Sequence, residues 1–427
     1  MKWLGAAPLI TYIAAQGVAE TALAAVARKS KDNIYTRIGV KPLINARGDW
    51  TYLSGSLELP EVRRAKEQAA LHYVEIVELQ RAVGKRLAEL SGAESGLITS
   101  GAAGAMAVAT AACIAGSDPV KIWQLPDTTG LKHEEIMFGG RSAFDSAIRL
   151  AGGKLVVAHT PEQLAATIND RTAMVYTMGG PEMIEKALAV TKKAKVPLLA
   201  DQASSIPPIE NLKLYAKMGC DLYTFSGGKG LCGPQCSGLL LGRKDLIDAA
   251  LANSSPWEGA VCRPMKVGKE EIMGCLAAVE AWTTKDFKAL QAEWNRRAKH
   301  VAKLVETVPG VTTEVRGSSV TVLWDEKGIG FSLDDCDKEL RAGDPRIEVM
   351  RKNRPSTVAG VTDDAFPKSV DLASKSPDRL QVVCMPLQPG EDLIIGKRLR
   401  EILGAAHARS RVARAGRGGT GKPWSPA

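Results

Sequence analysis

The sequence lacks a second pair of cysteines or histidines at metal-ligand spacing. Cys232 and Cys236 make one C-x₃-C step of the kind zinc sites use, but nothing completes it, so no metal site is expected. Most of the other cysteines (Cys113, Cys220, Cys262, Cys275, Cys336 and Cys384) sit in apolar runs, where a thiol behaves as a small hydrophobe. That usage suits a reducing compartment. There is no internal repeat. The apolar stretch Trp3–Val18 is short for a membrane span, and no twin arginine precedes it. No stable membrane partner is therefore expected. The segment His407–Ala427 has no acidic residue; it carries Arg409, Arg411, Arg414, Arg417 and Lys422, which is 5 of the net charge of +9. It is also poor in apolar residues, so residues 406–427 are expected to form a disordered basic tail. Contact with RNA or an acidic surface is the alternative role for it.

The chain has 427 residues, of which 45% are hydrophobic and 24% charged, an ordinary balance for a globular protein with a sizeable core. Residues 1–30 read as an apolar leader. A basic start and Ala25-Val26-Ala27, which resembles a cleavage site, suggest export; Glu20 and the distance to Ala27 argue against it. The expected location is cytoplasmic, with export as the alternative. Residues 31–90 read as an N-terminal arm and helix, with apolar positions at helical spacing from Val62 to Leu90.

From Ser91 to about Arg243, short β-rich runs alternate with helical patterns. The runs are GLITS, KIWQL, KLVVAH, TAMVYTM, VPLLADQ, LYTFSG and SGLLLGR. Helices are expected at Ala102–Ala115, Ala143–Ala151, Pro161–Ile168, Pro181–Ala194 and Asn211–Met218. This alternation predicts an α/β domain with a mainly parallel sheet over residues 91–264. Residues 265–405 read as a smaller α+β domain. It opens with one long helix over Lys269–Val308, continues through strands at VTTEVRG, SVTVLWD, RIEVM and LQVVCMP, and ends in a helix over Glu391–Leu403. The polar stretch Asn353–Pro377 reads as a loop.

Three motifs carry chemistry. In LITSGAAGAMAVATAACI a strand meets a helix through small residues, Ser100, Gly101, Ala102 and Ala103. Such a turn lets backbone N–H groups approach a phosphate, although tight packing uses the same residues. In VPLLADQASS an apolar strand ends in Asp201, at the carboxyl edge where α/β sheets bind ligands; a cap on the next segment is the alternative. In FSGGKGLCG, Lys229 lies among Gly227, Gly228 and Gly230, which leave room for a ring and a phosphate, and Ser226 is a candidate phosphate donor. A partly desolvated lysine is a nucleophile. In this order on this pattern, the three motifs meet the needs of a pyridoxal 5'-phosphate site. Asp201 would hold the pyridine nitrogen protonated and Lys229 would bind the cofactor. His133 is a candidate ring-stacking or proton-handling residue, with an exposed polar role as the alternative. Arg263 is a candidate for binding phosphate or a substrate acid, with a helix-entry ion pair as the alternative.

The sequence resembles the SelA-like branch of fold-type I pyridoxal phosphate enzymes. The resemblance runs from about Asn33 to Leu403 and is carried by NIYTRIGVKPLINARGDWTYLSGSLELPEV, LPDTTGLKHEEIM, ADQASSIPPIENL, DLYTFSGGKGLCGPQCSGLLLGRKDLI and RLREIL. It implies an aspartate aminotransferase-like fold, with Lys229 as the Schiff-base lysine, Asp201 as the pyridine-nitrogen partner and Ser100–Ala103 as the phosphate turn. The branch includes L-seryl-tRNA(Sec) selenium transferase and D-glucosaminate-6-phosphate ammonia-lyase. The transferase is similar in its N-A-x-G segment but continues into H-T-N-x-G-R. Here YLSGSL follows Asn45-Ala46-Arg47-Gly48 and holds neither residue type. The lyase-like branch therefore fits better. The implied reaction is α,β-elimination from an amino acid or amino sugar acid, giving a 2-keto acid and ammonia. Selenium transfer, transamination and racemisation are the alternatives, and a nucleic-acid-binding or scaffold role is the non-enzymatic one. The resemblance implies a homodimer or larger homo-oligomer, and tRNA is not an expected partner.

Overall fold

A computed structural model describes residues 33–351 and 378–417. Among these residues, no helix is long and apolar enough to cross a membrane. The leader, the expected loop over Asn353–Pro377 and the last ten residues lie outside the described residues. The chain divides into two compact units, with breaks after Gly48 and after Phe287.

In chain order the strands are β1 (Leu43–Ala46), β2 (Ser95–Thr99), β3 (Glu134–Phe138), β4 (Lys154–Ala158), β5 (Thr172–Thr177), β6 (Leu198–Asp201), β7 (Leu222–Ser226) and β8 (Gly238–Gly242). They continue with β9 (Val311–Arg316), β10 (Ser319–Trp324), β11 (Arg346–Val349) and β12 (Leu380–Val383). The unit spanning residues 49–287 holds a seven-stranded sheet in the order β2-β8-β7-β6-β5-β3-β4. β3 to β7 pair in parallel, and β8 runs antiparallel to both β2 and β7. The predicted mainly parallel α/β fold is therefore the observed one. Strands buried on both faces read as apolar runs because helices cover each face. The helix Gly101–Ala115 is nearly all buried, and its alanines let it lie close to the sheet.

Register positions the site. Asp201 pairs with Thr224, so β6 ends at the buried aspartate two residues short of the end of β7. Gly238, at the start of β8, pairs with Thr99 on one side and Ser226 on the other. The turns after β2 and β7 thus emerge at one edge of the sheet.

Several expectations change. KIWQL is not a strand: Asp118 accepts hydrogen bonds from the Val120 and Lys121 N–H groups and starts a short helix, Pro119–Gln124. The strand at this point in the chain is β3, whose leading pair of glutamates hides it from an apolar-run reading. Glu134 is paired with Arg171 at 2.9 Å and bonded by Asn169. The expected helix over Lys269–Val308 is two, Lys269–Thr283 and Phe287–Val305. The first packs on the helix Pro60–Ala70 within the 49–287 unit, so the boundary falls at 287 rather than 264. The pattern from Val62 to Leu90 is likewise two helices, the second (Ile76–Ser91) capped by the Glu75 carboxylate.

The second unit contains β1 paired in parallel with β11, and an antiparallel sheet β12-β10-β9. Its core includes Ile44, Val301, Val320, Cys336, Ile347 and Leu399. The final helix does not stop at Leu403 but runs to Arg417, so the expected disorder does not begin at 406. Leu403 and Ala406 are buried, and Ser410 Oγ donates to Gly328 O at 3.1 Å. These contacts give the basic segment a packed side that composition alone did not reveal.

Glu135 is fully buried in β3, and neither carboxylate oxygen has a hydrogen-bond partner among the described residues. Burial pushes its carboxyl well above the ordinary glutamate range. The fold thus keeps it protonated, whereas the unfolded chain ionises above about pH 4.3. Wild-type stability therefore falls as pH rises from there. We predict that Glu135→Met raises stability at neutral pH by about 1–3 kcal/mol, read from urea unfolding, with the gain shrinking toward pH 4.

Candidate active site

At the carboxyl edge of the seven-stranded sheet lies a cavity of about 730 Å³. Its lining includes Ser100, Gly101, Ala102, Ala103, Asp201, Ser226 and Lys229. The structure thus brings together seven of the nine residues that the sequence singled out.

Lys229 stands on the turn after β7, and its Nζ donates to Ser204 Oγ at 2.9 Å. The glycines around it are also constrained by close packing. A Cβ on Gly228 would stand 2.6 Å from Gln235 Cα, and one on Gly230 would stand 2.5 Å from Pro207 Cδ. The turn is closed by Gly227 N donating to Ser237 O and by Gly233 N donating to Gly227 O, both at 2.8 Å. These glycines are required by the protein's packing against itself, and that packing fixes where the lysine points.

Asp201 is only 5% exposed. Burial pushes its carboxyl above the ordinary aspartate range, while the Ala203 N–H and the Lys229 charge pull it partway back. A cation placed against it would complete that pull. The turn after β2 starts the helix Gly101–Ala115 with Gly101 at φ +77° and no side-chain cap. The first N–H groups of a helix have no partner within it, so this end can receive an anion. Gly238 lies flat against that turn: a Cβ there would stand 2.6 Å from Gly101 O and 2.7 Å from Ala102 N.

His133 and Arg263 do not line the cavity. His133 precedes β3 at its amino end, where its Nδ1 meets Leu131 O at 2.9 Å; the cavity is at the carboxyl ends. Arg263 sits in the turn before the helix Lys269–Thr283, with its N–H on Ala260 O.

Sequence reading missed Asp49, Phe144, Ser204 and Gln235, all of which line the cavity. Phe144 is 47% exposed in a loop clamped by the next residue. Asp145 accepts from Tyr176 OH at 2.8 Å, from Ser142 N at 3.1 Å, and from Arg141 Nε. A signal existed in R-S-x-x-D, a turn-closing spacing, but it names no ligand.

The deep acid, the lysine and the uncapped helix end fit pyridoxal phosphate in charge and position. Residues 156–322 match the aminotransferase class-V family. The chain is 31% identical over 341 residues to a 5'-C-glycyluridine monooxygenase-decarboxylase from a Streptomyces species, covering 73% of this chain and 83% of the relative. It is 29% identical over 339 residues to D-glucosaminate-6-phosphate ammonia lyase of Salmonella typhimurium, covering 74% and 88%. A solved structure of D-glucosaminate-6-phosphate ammonia-lyase superposes with a TM-score of 0.72 at 28% identity, covering 88% of this chain and 99% of that one.

Fold and comparisons together define a pyridoxal phosphate-dependent enzyme of fold type I. More narrowly, the chain belongs to the aminotransferase class-V family, in its SelA-like branch.

Gly238→Ala would force a methyl group into the helix-start turn. We predict that it weakens pyridoxal phosphate binding at least about tenfold, the loss of one good hydrogen bond to a charged group, as measured by cofactor titration.

Proposed function

We propose that the enzyme removes ammonia from a small β-hydroxy amino acid or amino sugar acid by α,β-elimination, leaving a 2-keto acid. The observation that carries this reading is the pairing of Lys229, hydrogen-bonded to Ser204, with the buried Asp201 in one cavity. The named activity of the Salmonella relative and of the solved structure supports the reaction class.

Lys229, Asp201, Ser226 and the Ser100–Ala103 turn would hold pyridoxal phosphate. When bound, the cofactor supplies a ring that accepts the electrons left at the substrate's α-carbon. Asp201 would hold a positive ring nitrogen, its carboxylate being buried and its proton affinity raised by that burial. The uncapped start of the helix Gly101–Ala115 would receive the phosphate through backbone N–H groups. The free ε-amine of Lys229 takes the α-proton, and the resulting ammonium gives a proton to the departing β-hydroxyl. Among the described residues lining the cavity, Lys229 is the one cation. One group thus serves both proton transfers, and Ser204 fixes its Nζ between them. Asp201 is the deep acid and stays out of these transfers.

The same geometry supports a homo-oligomer: Trp123 is 76% and Trp257 48% exposed around one apolar hollow of the 49–287 unit. Eight free cysteines support a cytoplasmic location.

The test is incubation of the purified protein with D-glucosaminate 6-phosphate or serine. Keto acid and ammonia are expected in equal amounts from one of them, and Lys229→Ala should lower the rate at least about 100-fold. Oxygen uptake with release of carbon dioxide would instead move the reading toward the chemistry for which the Streptomyces relative is named.

A further inference from the structure

Beside the cavity around Lys229 lies a second hollow of about 560 Å³, at the carboxyl ends of β3 and β4. Its wall includes Phe138, which ends β3, and His159, which follows β4, with Glu182, Met183 and Lys186 opposite. Gly180 lines both spaces. The strip between them is Gly179-Gly180, which carries no side chain. Hydrogen bonds fix this strip in place. Gln202, in the cavity wall, donates from Nε2 to Gly179 O at 2.8 Å, and its Oε1 accepts from Tyr215 OH at 2.8 Å. Gly179 N donates to Thr177 Oγ1 at 3.1 Å, and that hydroxyl donates to Phe138 O at 2.9 Å.

The two glycines of the strip differ in why they are glycine. A Cβ on Gly179 would stand 2.4 Å from Met183 Sδ, so packing excludes a side chain there. Gly180 has φ −71° and ψ −177°, an extended conformation that suits any residue before a proline, and a Cβ on it would meet no atom within 4 Å. Neither backbone strain nor packing calls for glycine at 180. What the missing side chain leaves is an open pass from the cavity into the hollow. The hollow has its own chemistry. Lys186 Nζ donates to the Glu182 carboxylate at 2.6 Å, so the two charges offset each other and neither selects a charged ligand. Lys186 supplies donors, Glu182 acceptors and the His159 ring one of each. A mixed set without net charge suits hydroxyl groups, each of which both donates and accepts. Phe138 and Met183 give the carbons between such hydroxyls an apolar surface.

We infer that the hollow past Gly180 holds a hydroxylated tail of the substrate, and that Gly180 is the residue that admits it. The reacting end sits at Lys229, and the carbon chain beyond the β-carbon runs over Gly180 toward His159. The favoured substrate is then an amino acid with several hydroxyl-bearing carbons past its β-carbon, not a short one such as serine. This rests on the reading of the Lys229 cavity as the place where the amino acid reacts.

The experiment is calorimetric titration of the holoenzyme with D-gluconate and D-glycerate. Both carry a hydroxyl in place of the amine, so they bind without reacting, and only the first has a long tail. Wild type should bind D-gluconate at least about tenfold more tightly than D-glycerate, the worth of one or two hydrogen bonds. Gly180→Leu should remove that advantage while leaving D-glycerate within about twofold, since the new side chain stands away from the shorter molecule. His159→Ala should weaken D-gluconate by about three- to tenfold and spare D-glycerate. Equal affinity for the two compounds in wild type would overturn the proposal. So would a Gly180→Leu variant that leaves D-gluconate unchanged or weakens both compounds alike. If Gly180→Leu fails to fold by circular dichroism, His159→Ala is read against the same outcomes. A wild-type holoenzyme that binds neither compound would sink the reading of the cavity first, and with it this proposal.

Discussion

A turn that has no room for side chains of its own sets the position of Lys229, and the site follows from that position. Gly227, Gly228 and Gly230 pack against Ser237, Gln235 and Pro207 so closely that a single Cβ at any of them would collide. The lysine between them lines the cavity. Its Nζ then has one hydrogen-bond distance to satisfy, 2.9 Å to Ser204 Oγ. A lysine held by a loop of ordinary residues would sample many rotamers and lose much of its effective concentration at a bound substrate.

Sheet topology supplies the rest. Because β6 and β7 are parallel neighbours, their carboxyl ends place Asp201 and the lysine turn at the same edge. Because β8 returns antiparallel between β7 and β2, Gly238 sits between Ser226 and Thr99 and presses against the helix-start turn. One strand reversal thus brings an uncapped helix end and the lysine into one cavity. Burial then raises Asp201 above its ordinary range, so its carboxylate gains most from a cationic partner.

Much of this was legible in the sequence, for identifiable reasons. Parallel strands buried on both faces read as unbroken apolar runs, so VPLLADQ and LYTFSG stood out and ended at the functional residues. β3 did not stand out, because Glu134 and Glu135 open a strand that is buried along its whole length. KIWQL looked like a strand because its apolar content outweighed the Asp118-Pro119 helix start. His133 was chosen for its chemistry, but the chain places it at the amino end of β3, away from the carboxyl edge. Ser204 went unseen because it meets Lys229 from a different loop, and Asp49 because it joins the cavity wall from far off in the chain; no local spacing encodes either approach. The basic final segment looked unable to pack, yet Leu403 and Ala406 extend the helix's buried stripe past Leu399.

The central claim is that Lys229, and no other lysine, binds the cofactor. Borohydride reduction of the holoenzyme followed by proteolysis and mass spectrometry tests it directly. The account predicts a stable phosphopyridoxyl adduct on the peptide containing Lys229 and on no other. An adduct on a different lysine, or a reduced holoenzyme with no adduct at all, would contradict it.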